Sequence, residues 1–246
     1  MVTYLILFLP NACILRRFTK QNCTLWEELK DSIKFHAELA YEGRIPTEFI
    51  FLNHKDGTPL TIGDAGNVTT PAAIEAELEK VKLVAPAPLC KRIRQVVEGV
   101  ASMERDLRQA NPRQTVSIVI ATHLGATDTD GCVIRSALEE LAARGLSVTV
   151  VARLLTKDPD DSNDDIDGDI VKDTWSLVDR TLKYLSIDVL DDFFGEAKEV
   201  EGHNSWLKYG EPLHRLRELG LKRDDMDALD ERLLQESEMR SLVADL

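Results

Sequence analysis

The chain has 246 residues and a formal net charge of −13, with 43% hydrophobic and 30% charged residues. A chain of this length and composition can bury a sizeable core, which excludes disorder throughout. Its negative charge repels phosphate backbones, so we expect no nucleic-acid partner.

Cysteine usage and hydropathy indicate the cellular compartment of the protein. The four cysteines show neither C-x-x-C spacing nor a disulfide framework, which is typical of reduced thiols inside a cell. No apolar stretch reaches the roughly 20 residues that a membrane helix needs. The apolar run Tyr4 to Pro10 has no basic residue before it, which favours a buried strand over a signal peptide. We therefore expect a cytoplasmic or otherwise intracellular protein that does not bind membranes.

The N-terminal half alternates strand and helix patterns. A helix is predicted over Leu25 to Tyr41, with Thr24 and Glu27 as a capping box and Gly43 as its end. Another helix is predicted to begin at Pro71, where a missing N–H costs nothing. The other predicted elements here are the strands Tyr4 to Leu9, Glu48 to Asn53 and Leu60 to Ile62, the helix from Pro71 continuing to about Val84, and a long helix over Leu89 to Leu107.

The C-terminal half continues the alternation. The β-branched run Val116 to Thr122 is the clearest strand pattern in the chain. A helix over Val133 to Arg144 is predicted to end at Gly145. The remaining predictions are a strand over Ser147 to Leu154, helical spacing over Val171 to Leu185, a short strand over Ala197 to Val200, and helices over Pro212 to Leu219 and Met226 to Val243.

This alternation predicts an α/β fold. Right-handed βαβ units give a doubly wound, mainly parallel sheet flanked by helices on both faces, with a helical C-terminal extension. We expect the α/β domain to span 1–202 and the extension to span 203–246. Ligands of such sheets bind beyond the carboxyl ends of the strands, which places the informative loops after Leu9, Asn53, Thr122 and Leu154.

Several nucleotide-binding and hydrolase motifs are absent from the sequence. It contains no P-loop, no dinucleotide fingerprint after a strand and no G-x-S-x-G nucleophile elbow. The segment Asp128-Thr129-Asp130-Gly131 is similar to the start of haloacid dehalogenase-like phosphatases, in which the aspartates follow a buried strand directly. Here the predicted strand ends about six residues earlier, at Thr122. A metal-dependent hydrolase using Asp128 and Asp130 is therefore the alternative hypothesis. The simpler interpretation is that these acids precede a helix and interact favourably with its dipole.

An acidic segment, Lys157 to Asp169, follows the strand that ends at Leu154. Its oxygen-bearing side chains at alternate positions are similar to the middle of a calcium loop, and Gly168 allows a sharp turn. Thr174 stands where that loop has its bidentate Glu, so only weak calcium binding is expected. The segment could instead face a basic partner. The candidate calcium ligands are Asn163, Asp165, Asp167 and Asp169.

The segment VSIVIATHLGATD, from Val116 to Asp128, resembles the fourth strand and following loop of a von Willebrand factor A-like (vWA) domain. The segments Thr24 to Asn53, Leu83 to Ile93 and Ser147 to Leu154 resemble the neighbouring parts of that family in the same order. The resemblance implies a doubly wound sheet that carries a magnesium site at its carboxyl edge. In the family, D-x-S-x-S, a threonine and an aspartate from three loops supply that site.

This chain departs from the family pattern in all three loops. Leu9-Pro10-Asn11-Ala12-Cys13 replaces D-x-S-x-S, Ala87 replaces the threonine, and His123 replaces the aspartate. We therefore expect no magnesium and no other resident cofactor. A softer ion such as zinc at His123, Asp128 and Asp130 is the remaining metal hypothesis. The resemblance implies a non-catalytic binding module for a protein partner of unspecified identity, which the acidic charge suggests is basic.

Overall fold

The computed structural model describes most of the helices and strands of this chain. The described residues are 2–7, 25–52, 59–63, 69–81, 89–110, 114–122, 131–155, 175, 182, 185–220, 226 and 228–244.

The described residues form a six-stranded sheet in the order β3-β2-β1-β4-β5-β6. Every neighbouring pair is parallel except β2 with β3, which is antiparallel. The strands are β1 (Val2–Leu7), β2 (Thr47–Phe51), β3 (Leu60–Ile62), β4 (Val116–Thr122), β5 (Val148–Leu154) and β6 (Ser186–Leu190).

Helices separate these strands, which gives a mixed α/β architecture. None of the helices in the described part of the chain has the length and hydropathy needed to cross a membrane. The helices are α1 (Leu25–Gly43), α2 (Pro71–Leu78), α3 (Leu89–Ser102), α4 (Glu104–Gln109), α5 (Gly131–Ala143), α6 (Phe193–His203), α7 (Glu211–Glu218) and α8 (Glu236–Ala244).

Two apolar clusters surround the central strands. All seven residues of β4 are buried, and successive residues join different clusters because side chains alternate across a strand. Ile118 and Ile120 pack with apolar residues of α3 and α5. Val119 and Ala121 pack with apolar residues of α1 and α2. Since β4 is buried on both sides, its sequence shows a nearly continuous β-branched run and not an alternation of apolar and charged residues.

A third apolar cluster holds the C-terminal helices together. It joins Val200 of α6 to Leu213 of α7 and Leu242 of α8, with Phe193 packed against it. The expected division between 1–202 and 203–246 stays a prediction, although α6 contributes to this cluster from the N-terminal side of that division.

Several predicted elements match the structure closely. The central strand, the edge strand at Leu60 and the Thr70 cap of α2 are confirmed, the cap by a hydrogen bond from the Ala73 backbone N–H to Thr70 Oγ1 at 3.3 Å. The end of α1 differs from the prediction. Gly43 is the last helical residue, and Arg44 takes the positive φ of 50° that follows.

In the segment 186–203 one element was missed and one prediction was wrong. The strand β6 was not predicted, and the residues Ala197 to Val200, predicted as a strand, lie within α6. Asp192 explains the helix, because its carboxylate accepts the backbone N–H groups of Phe194 and Gly195 at 2.9 and 3.0 Å.

Three predicted helices are shorter than expected. The long helix from Leu89 is interrupted at Met103, where Ser102 Oγ donates to the Gly99 carbonyl and so competes with helical bonding. Helix α2 ends at Leu78 in a tighter turn instead of reaching Val84. The last helix begins at Glu236, well after the predicted start at Met226.

Gly220 tests how closely the segment after α7 approaches strand β4. Its φ is +67°, and a Cβ there would lie 2.7 Å from Ser117 Oγ of β4. Gly145 has a similar φ of +60° with nothing within 4 Å. We expect Gly145→Ala to cost about 1 kcal/mol through its backbone alone, and Gly220→Ala to cost about 1 to 3 kcal/mol more through the clash. Urea unfolding measures both, and equal losses would contradict the close approach.

Candidate functional site

The sheet order reverses between β1 and β4. In open α/β sheets this switch point is where ligands bind, beyond the carboxyl ends of the strands. Leu7 pairs with Ala121, so the chain leaves both strands at the same edge of the sheet. Strands β1 and β4 therefore end side by side at this edge.

The predicted metal and loop residues all lie outside the described residues, and their roles stay predictions. They are Leu9 to Cys13, Ala87, His123, Asp128 and Asp130, and the calcium candidates Asn163, Asp165, Asp167 and Asp169.

A buried arginine lies near the same edge, one strand further along the sheet. Arg153 is the sixth residue of the seven-residue strand β5, and it is 2% exposed. Its Nε donates to Glu218 Oε1 at 2.8 Å and its Nη1 to the Asp191 carbonyl at 2.7 Å. Its Nη2 bonds to Glu28 in the first turn of α1. One guanidinium thus connects β5, α1, α7 and the end of β6.

Glu218 is the centre of this group and is fully buried at the end of α7. Its carboxylate accepts Ser32 Oγ of α1 at 2.9 Å and Arg215 Nη1 at 2.9 Å. Nε2 of His36 and of His214 lie 3.3 and 3.5 Å from it. Two arginines, two histidines and a hydroxyl therefore surround one carboxylate. We call the set of Arg153, Glu218, Glu28, Ser32, His36, His214 and Arg215 the Glu218 cluster.

The Glu218 cluster controls the ionisation of its members. Burial alone would raise the pKa of Glu218, but the adjacent His36 imidazole and the charges of Arg153 and Arg215 hold that pKa well below its usual range. Burial, with the nearby charge of Arg153, lowers the pKa of His214 to about 2. Glu218 is therefore charged and His214 neutral at physiological pH. With its oxygens bonded to these cations and to Ser32, Glu218 has a structural role and not that of a metal ligand.

A second ionic group lies beside the first. Arg217 Nη1 donates to Glu196 at 2.6 Å and Nη2 to Asp230 at 3.1 Å, while Asp188 of β6 lies 3.7 Å away. Burial raises the pKa of Glu196, aided by Asp230 and opposed by Arg217. This group links α6, α7 and β6.

Glu196, Glu199 and Asp230 bring one carboxylate oxygen each within 4.8 Å of one another. Sequence reasoning did not identify this group, although the spacing of Glu196 and Glu199 places them on one helix face. Arg217 already donates to two of the three carboxylates, so the group is ion-paired and carries no metal assignment here.

The Glu218 cluster was also missed, although one signal for it exists in the sequence. Arg153 is the one charged residue in the buried run Val148 to Leu154, and a charge in a strand buried on both faces requires a buried partner. The position of that partner, 65 residues away, is not encoded in any local pattern.

No family model matches the chain, and no curated protein matches it in sequence. Similar solved structures include proximal thread matrix protein 1 from the mussel byssus, 12% identical over 76% of this chain with a TM-score of 0.43. The chain spans only 43% of that protein's length. They also include the SpRpn10 VWA domain, 9% identical over 77% of this chain and 88% of its own length, with a TM-score of 0.41.

Removing the negative charge of Glu218 tests whether the Glu218 cluster stabilises the folded protein. Glu218→Gln leaves Arg153 paired with Glu28 alone and Arg215 paired only with the exposed Glu211, so we expect a loss of about 3 kcal/mol in the free energy of unfolding at pH 7. Glu211→Gln is the matched control. It removes a carboxylate with 66% side-chain exposure from the same Arg215, and it should cost less than about 1 kcal/mol.

The pH dependence gives this prediction a second readout. The folded pKa of Glu218 lies below its ordinary value of 4.5, so its contribution is fully present above that value and is lost as the pH falls toward the folded pKa. The difference between wild type and Glu218→Gln should therefore shrink below about pH 4.5. Urea unfolding across pH measures it, and equal losses in Glu218→Gln and Glu211→Gln would contradict the assignment.

Proposed function

We propose that this chain is a non-catalytic protein-interaction domain with a doubly wound, vWA-like architecture that has lost its magnesium site. The observation that carries the proposal is the parallel pairing of β1 with β4. It supports a strand order in which the segments after these two strands begin together at the carboxyl edge, where such domains bind their ligands.

The sequence of these segments supports the loss of magnesium. Magnesium prefers carboxylate and hydroxyl oxygens in near-octahedral geometry. The first segment opens with Phe8-Leu9-Pro10-Asn11-Ala12-Cys13 and the second with His123-Leu124-Gly125, and neither stretch contains an acid. A partner would therefore bind through direct protein contacts and not through a shared metal ion.

Charge supports a basic partner. The chain carries a net charge of −13, and the acidic segment Lys157 to Asp169 follows β5 soon after that strand ends at Leu154. Negative charge in this part of the chain would accelerate encounter with a positively charged protein and disfavour acidic ones.

The hydrolase alternative is disfavoured by the ends of two elements. Strand β4 ends at Thr122 and helix α5 begins at Gly131. In sequence, Asp128 and Asp130 come six and eight residues after the end of β4 and just before the start of α5, whereas a phosphatase-like nucleophile directly follows a buried strand. Acids at that position favour the helix dipole without any catalytic role.

Calorimetry of the chelator-treated protein with Mg²⁺, Mn²⁺, Ca²⁺ and Zn²⁺, paired with thermal melts, tests the proposal. We expect no Mg²⁺ or Mn²⁺ heat and no rise in Tm, because a metal that binds the folded state must stabilise it. Tight Mg²⁺ or Mn²⁺ binding would contradict the proposal, and phosphatase activity lost in Asp128→Asn would establish the hydrolase instead.

The other two ions test separate sites. Weak Ca²⁺ binding that disappears in Asp165→Asn would locate a calcium site in the acidic segment and leave the interaction domain otherwise unchanged. Zn²⁺ binding lost in His123→Ala would show that a softer ion has replaced magnesium. It would contradict the proposal that the partner binds without a metal ion.

A further inference from the structure

The buried side chain of Asn204, which directly follows α6, holds the turn at residues 229–234 between α7 and α8. Asn204 is fully buried, and its Nδ2 donates to the carbonyls of Leu229 and Arg232, each at 2.8 Å. Its Oδ1 accepts the Leu234 backbone N–H at 3.0 Å. Both amide hydrogens and the carbonyl are therefore used, and they fix the backbone of 229–234 against the end of α6.

Two large apolar side chains are exposed around this asparagine. Trp206 is 41% exposed and Leu233 is 62% exposed. The Trp206 indole N–H donates to Asn204 Oδ1 at 3.2 Å, the same oxygen that accepts Leu234. The indole thus lies beside the Leu233–Leu234 backbone, and with its N–H bonded inward it offers its apolar ring to a partner. We call Trp206, Leu233 and the turn that Asn204 holds the Asn204 surface.

Carboxylates border the Asn204 surface. Asp230 belongs to the turn, and its carboxylate comes within 4.8 Å of that of Glu199. Glu201 and Glu231 are exposed nearby in the chain. Within 198–211 and 228–240 there are seven acidic residues against four Lys and Arg. Arg232, one of the four, is bonded through both Nη atoms to Glu238.

We propose that the Asn204 surface binds a basic amphipathic segment of a partner protein. An apolar side chain of that segment packs on Trp206 and Leu233, and its Lys or Arg side chains approach the exposed Glu201 and Glu231. This assignment rests on the proposed interaction function and adds to it the surface and the chemistry of the partner. A tryptophan held in one orientation is the kind of residue that dominates binding energy at protein interfaces.

Charge argues against the other occupants of this surface. A second copy of the chain would bring the same carboxylates to the surface and repel them. A divalent cation would compete with Arg217, which already donates to Glu196 and Asp230. A basic segment adds positive charge at the border and buries the two apolar side chains in the same step.

The test uses the full chain and a fluorescein-labelled synthetic peptide of Leu and Lys at i, i+3, i+4 and i+7 helical spacing. Fluorescence anisotropy gives Kd for wild type, Leu233→Ser and Trp206→Ala. We expect each variant to weaken binding about tenfold, the loss typical of an interface anchor. Leu233→Ser removes a largely exposed side chain, so it keeps the test valid if Trp206→Ala unfolds the turn. Tyr41→Ala is the matched control, because Tyr41 is 47% exposed on α1, and it should leave Kd unchanged.

A scrambled peptide of the same composition and a peptide with Glu in place of Lys should both bind at least about tenfold more weakly than the amphipathic basic one. Equal binding by wild type and Leu233→Ser, or an equal loss in Tyr41→Ala, would overturn the Asn204 surface. So would failure of wild type to bind the basic amphipathic peptide. None of these results would revive a magnesium site, which the metal calorimetry tests separately.

Discussion

The buried ion pair between Arg153 and Glu218 is the interaction on which the arrangement of this molecule depends. Arg153 occupies a strand that is buried throughout, where an uncompensated charge is costly. Glu218 supplies the compensating charge from the last turn of α7, and Glu28 adds a second carboxylate from α1. Strand β5, one position in from the edge strand β6, therefore determines where the charged residues of α1 and α7 must lie.

The same pair connects the α/β core to the C-terminal helices. Glu218 is followed by Leu219, whose carbonyl accepts Ser117 Oγ of β4 at 2.7 Å. Arg217, on the adjacent position of α7, joins Glu196 of α6 to the turn that carries Asp230. Replacing a buried ion pair by apolar residues can be neutral, so the pair serves specificity of packing more than raw stability. The proposed Asn204 surface is thereby held on a framework connected to the sheet.

The sequence predicted those features that depend on local patterns and missed those that depend on distant contacts. The run Val116 to Thr122 predicts β4 because β-branched residues alone fill most of it. Strand β6 was missed because Asp188 breaks its apolar pattern, and Asp188 is accommodated by Arg217 from α7. The Glu218 cluster was missed because Arg153 and Glu218 lie 65 residues apart in the chain, and no local pattern links them. The magnesium hypothesis concerns loops outside the described residues and stays a prediction.

A double-mutant cycle on Arg153 and Glu218 tests the central claim most directly, with Arg153→Met, Glu218→Met and the double variant unfolded in urea at neutral pH. Each single variant leaves one charge of the pair with only its second partner, Glu28 for Arg153 and Arg215 for Glu218, whereas the double variant removes both charges of the pair. The account predicts a double variant that is more stable than the sum of the single losses implies, by a coupling free energy of about 2 kcal/mol or more. Additive losses, with coupling below about 0.5 kcal/mol, would show that the two side chains do not act as a pair and would contradict the account.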